Sequence, residues 1–282
     1  MGIVYDRIET DGSYHYIIPK KRIFQTAAHE HDDILFGCEF EFYISDQENQ
    51  KAVAEAIFEE LKSITNADIL YHETGIPSCK DANICMHLKT DHSLESHGLE
   101  ISIPVCTYHE FIFYVEHINL LIDKYGYTNN DTGLHIHLST KETNGVNLDF
   151  YNFALLCDKE GLLDLWGQRN GYCCNVMDVI NYHTPSKSRA IKNPKGRIWN
   201  LEKISASRIE IRTMGGIDYH IKSERILEEA EKYITTFKKA LSLLKEESHT
   251  LRKSHLEKIS SATPAQQALF TKIMELGQYL DV

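Results

Sequence analysis

The chain has no apolar run long enough to cross a bilayer, which excludes a helical membrane protein and sets aside a membrane partner. It has no basic excess either. Its 41 acidic residues outnumber 30 basic ones and leave a formal charge of −11. Bulk nucleic-acid binding needs a basic surface, so that class is set aside, although a local basic pocket is not. There is no Cys-x-x-Cys pair. The seven cysteines are Cys38, Cys79, Cys85, Cys106, Cys157, Cys173 and Cys174, an odd number with no framework spacing. Cys79 and Cys85 flank a polar loop, and without a second pair they read as ordinary thiols. The opening residues, Met1 to Arg7, show no basic-then-apolar pattern, so no signal peptide is expected. Free thiols in a reducing cytoplasm are the expected state. Internal repeats and low-complexity tracts are also missing. What remains is a composition of 42% apolar and 25% charged residues, that of a soluble globular protein. At 282 residues it can bury a large core, as one large domain or two small ones.

The most informative stretch that is present runs from Phe36 to Ile44. Phe36, Cys38, Phe40, Phe42 and Ile44 share one parity; Gly37, Glu39, Glu41 and Tyr43 share the other. Successive strand side chains point to opposite faces, so this is a half-buried strand with two carboxylates side by side on its front. Taken alone, that front reads as a solvated strand face.

Around it, the spacing predicts helices over residues 47–65, 108–125 and 148–166, the last ending near Gly167. Short strands are expected over Tyr14–Ile18, 68–72 and Ile84–Asp91. Residues His29-Glu30-His31 read as a polar loop. Gly98 to Pro104 is a strand with Leu99, Ile101 and Ile103 behind and Glu100 in front, stopped by Pro104. Thr132 to Ser139 repeats the design, with His135 and His137 in front of Leu134, Ile136 and Leu138. Residues 167–196 read as irregular and locally basic, with Arg169, Lys187, Arg189, Lys192 and Lys195, and Arg197 just after. Arg197–Leu201 and Ser207–Arg212 read as strands, the second presenting Arg208, Glu210 and Arg212 and closed by Met214-Gly215-Gly216. From Tyr219 onward the pattern is helical. A last helix opens at Pro264, with Thr263 as its cap.

Four strands thus share one habit, an apolar back and a front of Glu39 with Glu41, Glu100, His135 with His137, and Arg208 with Glu210 and Arg212. The economical assembly is an α+β fold: a curved, mainly antiparallel sheet of about six strands, helices on its convex face and a helical C-terminal tail. Four carboxylates on one face are costly unless cations neutralise them. Oxygen ligands with an occasional imidazole suit Mg²⁺ or Mn²⁺, and paired carboxylates on one strand suggest two or more ions. Metals with nearby arginines suit phosphoryl transfer. Each motif alone has a plain structural reading; Arg208 to Arg212, for instance, suits a cross-strand ion-pair ladder. The four in phase favour a site.

The ordered set also resembles the amidoligases of the glutamine synthetase and glutamate–cysteine ligase superfamily. The residues that carry this resemblance are Gly37, Glu39 and Glu41; Asp91, Ser93, Gly98, Glu100 and Pro104; Gly133, His135 and His137; Asn200; and Arg208, Glu210 and Arg212. The resemblance implies an ATP-dependent carboxylate–amine ligase on a glutamine synthetase-like catalytic sheet over residues 36–216. Residues 1–35 would be an N-terminal extension, and 217–282 helices that pack on the sheet or form a homo-oligomer contact. It implies that Glu39, His135 and Glu210 hold the metal that engages ATP, and that Glu41 and Glu100, with another carboxylate, hold the second. Glu95 lies close in sequence to that pair. His137, Arg212, Arg197 and Lys89 would contact ATP phosphates, while Arg208 and Arg212, with Glu41, serve the transfer itself. The substrates would be a small-molecule or peptide carboxylate and an amine.

Three other classes compete. A phosphotransferase of guanidino-kinase type would use the same face but form no amide. A metallohydrolase would use His135-x-His137, yet the strand–helix alternation of its usual barrel is missing. A non-catalytic binding module would keep the fold and lose the chemistry.

Overall fold

The structure is a computed structural model that describes residues 4–8, 14–17, 31, 33–46, 49–65, 67–72, 85–91, 93–94, 98–140, 148–163, 166, 199–200 and 208–260. The strands are β1 (Val4–Ile8), β2 (Tyr14–Ile17), β3 (Ile34–Ile44), β4 (Asp68–His72), β5 (Cys85–Thr90), β6 (Gly98–Ser102), β7 (Gly126–Tyr127), β8 (Gly133–Thr140), β9 (Trp199–Asn200) and β10 (Arg208–Gly215). The helices are α1 (Gln50–Ile64), α2 (Tyr108–Tyr125), α3 (Phe150–Lys159), α4 (Ser223–Ser242) and α5 (Lys245–Ser260), with a short 3₁₀ turn at Tyr219–Ile221.

All ten strands join one sheet in the order β1-β2-β4-β5-β6-β3-β8-β10-β9, with β7 pairing β3 off that path. Every pairing is antiparallel except β4 with β5. The fold is therefore a mixed sheet-and-helix arrangement with more strands than the six or so expected. Two of them fall where no strand is expected, and both are short: β1 lies in a region that reads as mixed, and β7 is a two-residue extension after α2. Gly126 makes that extension possible, since a Cβ there would sit 2.1 Å from the Tyr43 carbonyl oxygen.

The apolar parity of β3 is buried as its alternation requires: Phe36, Cys38, Phe40, Phe42 and Ile44 all belong to the core. Helix α2 lies on that face. Phe111 stacks on Phe36 with ring centroids 5.1 Å apart, and Val115, Ile118 and Ile122 follow at helical spacing, all buried. The helix starts where Glu110 Oε2 accepts both the Thr107 amide (2.8 Å) and its hydroxyl (2.9 Å), fixing the first turn. Phe58 of α1 packs on Tyr71 of β4, and Phe237 of α4 meets Phe153 of α3 edge-on. These side chains form one contiguous hydrophobic core from Ile34 to Ala240.

Three expectations change. The third helix ends at Lys159, not near Gly167. Gly161 takes a left-handed φ of 67°, its amide bonds to the Asp158 carbonyl, and the Leu162 amide reaches back to Cys157. That is a Schellman stop, with Leu162 buried beyond it. The helical stretch from Tyr219 is broken at Leu243, which is extended, so α4 and α5 are separate. His31 is not part of a solvated loop; it is buried, and its Nε2 lies 2.5 Å from Glu231 of α4. The basic stretch 167–196, Arg197, Cys79 and the helix expected from Pro264 lie outside the described residues, while Cys85 is a buried cysteine in β5, not in a disulfide.

Candidate functional site

Register brings the front residues together. β3 is flanked by β6 and β8, so Glu41 faces Glu100 on one side, and Glu39 faces Ser102 on one side and His135 on the other. Gly37 pairs with His137, which in turn pairs with Glu210 of β10. Lys89 of β5 pairs with Glu100, and Asn200 of β9 with Glu210. Residues scattered from 37 to 210 thus form a continuous polar strip on the face opposite the core.

The contacts within that strip are close. His135 Nδ1 lies 3.1 Å from Glu39 Oε2 and 3.8 Å from Glu210 Oε1, while its Nε2 lies 3.5 Å from Glu41 Oε1. His137 Nε2 is 3.4 Å from the other Glu39 oxygen. Arg212 donates to Glu210 Oε1 at 2.5 Å. Glu41 Oε2 accepts the Gly133 amide at 2.6 Å, and the Tyr219 hydroxyl donates to the Glu41 carbonyl at 2.8 Å. Glu41, Glu100, His135, His137 and Glu210 are buried; Glu39, Lys89, Asp91 and Arg212 are half-buried.

Burial and mutual charge set the ionisation of this strip. For Glu39, burial opposes ionisation, but the His135 hydrogen bond and the charges of His137, His135 and Lys89 overcome it and hold the carboxyl far below its usual range. Glu100 goes the other way. Burial, helped by the Glu39 charge, pushes it up to about 7 against the pull of Lys89 and Ser102. For His135, burial alone would lower the pKa, yet Glu41 and Glu39 raise it above the ordinary imidazole value. Neighbouring carboxylates with opposite shifts are a common mark of functional sites.

Two groups bring ligand atoms within 4.8 Å of one another: Glu39 with His137 and Glu210, and Glu41 with Asp91 and Glu100. The donor set, five carboxylates and one imidazole, fits hard divalent cations such as Mg²⁺ or Mn²⁺. The partition differs in detail from the sequence expectation. His137, rather than His135, shares the first group, and His135 sits between Glu39 and Glu41. The third carboxylate of the second group is Asp91, which the turn at Asp91–Leu94 holds in place; Glu95 lies outside the described residues. Lys89 pairs with Glu100 at 2.9 Å. Arg208 lies on β10, with only its backbone described.

Sequence reasoning missed one feature of β10. Between Ile211 and Met214 the strand advances three residues while β8 advances two, from Ile136 to Leu134. This β-bulge falls at Arg212 and Thr213, and such bulges re-aim side chains beside active sites. Thr213 is buried against the Tyr233 hydroxyl, 3.1 Å away, which anchors the bulge to α4. No local sequence signal marks it.

No family model and no curated protein matches the chain. Among solved structures it is similar to the glutamine synthetase of Plasmodium falciparum, seen by cryo-electron microscopy, at 16% identity and a TM-score of 0.34. The match covers 73% of this chain and 52% of that one. The chain therefore spans about half the length of that enzyme, and at so low a score the face must be read from its own geometry.

Proposed function

We propose that the polar face is the site of an ATP-dependent carboxylate–amine ligase on a glutamine synthetase-like sheet. The observation that carries this reading is the placement of two carboxylate-rich groups on successive front positions of one strand. Glu39 belongs to one group and Glu41 to the other, and Arg212 borders the first. Divalent ions held there would supply Lewis-acid stabilisation of phosphate oxygens.

The chain's own residues would do the rest. Arg212, aimed by its bond to Glu210 and by the bulge, meets negative charge developing on the γ-phosphoryl group; Arg208 on the same strand adds to it. His135, wedged between Glu39 and Glu41, holds the two carboxylates apart and in line. In the first step a substrate carboxylate oxygen attacks the γ-phosphorus, the bond to the bridging oxygen breaks and ADP leaves. In the second an amine attacks the acyl carbon of the resulting acyl phosphate. The C–O bond to phosphate breaks, the amide forms and the amine's surplus proton is released.

The test is trapping with hydroxylamine. With ATP, Mn²⁺ and a panel of amino acids, dicarboxylates and short peptides, the wild type should release ADP and give a coloured hydroxamate with at least one carboxylate. ADP release with phosphate retained on an acceptor, and no hydroxamate, would assign the face to a phosphotransferase instead.

A further inference from the structure

Glu41 sits where the pairing of β3 changes hands. On one flank of β3 the backbone bonds come from alternate residues. The Phe36 amide and carbonyl bond to Cys106 at 3.0 and 2.9 Å, and the Cys38 carbonyl accepts the Ile103 amide at 2.9 Å. The intervening residues, Gly37, Glu39 and Glu41, therefore turn their backbone groups to the other flank. There β8 runs alongside as far as Phe40 with Leu134, and β7 takes over at Tyr43 with Tyr127. Glu39 pairs with His135, so the next rung of the same kind would join Glu41 to Gly133, with the Gly133 amide on the Glu41 carbonyl.

That rung is open. The Gly133 amide donates to the Glu41 side chain instead, at Oε2 and 2.6 Å, while the Glu41 carbonyl accepts the Tyr219 hydroxyl at 2.8 Å. The two bonds form one exchange. A buried carbonyl without a donor costs stability, so the amide can leave it only where another donor takes over. An amide on a carboxylate makes a stronger, charge-assisted bond than one on a carbonyl, which favours the exchange. The carboxylate is thereby gripped at Oε2, with Oε1 3.5 Å from His135 Nε2.

The turn after β10 delivers Tyr219 to this spot. Gly215, Gly216 and Asp218 take φ of 127°, 87° and 55°, the last a left-handed value that a non-glycine residue seldom adopts. The Gly216 amide bonds to the Thr132 carbonyl at 2.9 Å and the Tyr219 amide to Thr128 Oγ1 at 3.1 Å, so the turn is stitched to the loop between β7 and β8. Tyr219 itself is fully buried. Phenylalanine would fill the same space, but the exchange needs the hydroxyl.

We propose that Tyr219 is a positioning residue for Glu41: its hydroxyl replaces the Gly133 amide in the strand ladder and frees that amide to fix the Glu41 carboxylate on the polar face. The effect on turnover rests on the ligase reading given under Proposed function; the exchange itself does not.

The experiment reads the Gly133 amide by NMR of the full-length chain. Labelling with ¹⁵N-glycine and ¹³C-carbonyl threonine selects the glycines that follow a threonine, Gly75 and Gly133. In the wild type one of these amide protons should lie downfield, as an amide on a carboxylate does, and move upfield in Glu41→Gln. Tyr219→Phe should move the same signal the same way with Glu41 intact. With ATP, Mn²⁺ and a carboxylate that supports ADP release, Tyr219→Phe should lower kcat by about 10–10²-fold. The KM for ATP should be unchanged, Glu39 and not Glu41 serving the ATP side. Tyr114→Phe is the control. It removes a buried tyrosine hydroxyl bonded to Thr65 at 2.9 Å on the core side, and should lower the urea midpoint while the glycine signal and kcat stay as in the wild type. A Gly133 signal that stays put in Tyr219→Phe overturns the exchange. Wild-type kcat in that variant overturns the positioning role, as does an equal loss in Tyr114→Phe. Should Tyr219→Phe fail to fold, a wild-type Gly133 signal indifferent to Glu41→Gln overturns the proposal. A wild type that releases no ADP with any carboxylate defeats the ligase reading, and the glycine signal still decides the exchange.

Discussion

Glu39 and Glu41 are two residues apart and differ in what surrounds them. Glu39 is kept ionised by His135 and His137, whereas Glu41 is tied by the Gly133 amide and by Tyr219 through its own carbonyl. If Glu39 serves the ATP side, Glu39→Ala should lower turnover by about 10²–10³-fold or more, the usual loss when one electrostatic contact to a transition state is removed. Circular dichroism and melting should remain those of a folded protein. Arg212→Ala should lose a similar factor. Arg212→Lys should recover little of it, because a single ammonium does not reproduce the guanidinium fork held on Glu210. Steady-state ADP release measures all three. A fully active Glu39→Ala protein would remove Glu39 from the site.

Much of this residue-level picture is legible in the sequence because strand parity is local. Glu39, Glu41, Glu100, His135, His137 and Glu210 each sit in phase with their own apolar neighbours, and all reach one face. Asp91 is different. It joins Glu41 and Glu100 through a turn after β5, and only the pairing of β5 with β6 brings it there. Lys89 looks like a phosphate ligand in sequence, and its pairing with Glu100 depends on the same non-local register.

At the scale of elements, the helices and strands that carry strong local signals match their expected spans: α2 covers 108–125 as its spacing requires. The short β7, the bulge in β10 and the early stop of α3 are settled by tertiary pairing or by a single glycine, and periodicity overlooks them. Helix α2 gives a clean test of local stability. Thr107→Ala removes the hydroxyl bonded to Glu110 and should cost about 1 kcal/mol in urea unfolding, with ADP release unchanged per folded molecule. The turn after β10 gives a pH test. Thr128 Oγ1 accepts the Tyr219 amide at 3.1 Å and lies 2.9 Å from His220 Nδ1, which holds the buried ring in place. Burial lowers the His220 pKa; Asp123 and Asp218 pull it up in part, and Lys222 adds to the lowering. A histidine with a depressed folded pKa takes up protons more readily when unfolded. Its stabilising effect is therefore present above the ordinary imidazole value and lost as pH falls below it. Between about pH 7.5 and 5.5 the wild type should lose more unfolding free energy than His220→Gln, groups common to both cancelling in the difference. Equal losses would show that His220 does not titrate against folding.

At the scale of the molecule, the division of labour is between the two faces of one sheet. One face is apolar and buried under helices in a contiguous core; the other gathers five carboxylates, two histidines, Lys89 and Arg212. Among the described residues no helix is long and apolar enough to cross a membrane. Under the proposed function, this face would receive a polyanion together with divalent cations, with Arg212 beside the carboxylates to meet the negative charge. The most direct test follows an oxygen atom. With a carboxylate substrate labelled by ¹⁸O in its carboxyl group, together with ATP, Mn²⁺ and an amine, ligation through an acyl phosphate must transfer one labelled oxygen to the released phosphate. Mass spectrometry of that phosphate should find the label in step with amide formation. Unlabelled phosphate released alongside ADP, or phosphate that stays covalently on the acceptor, would contradict the ligase account.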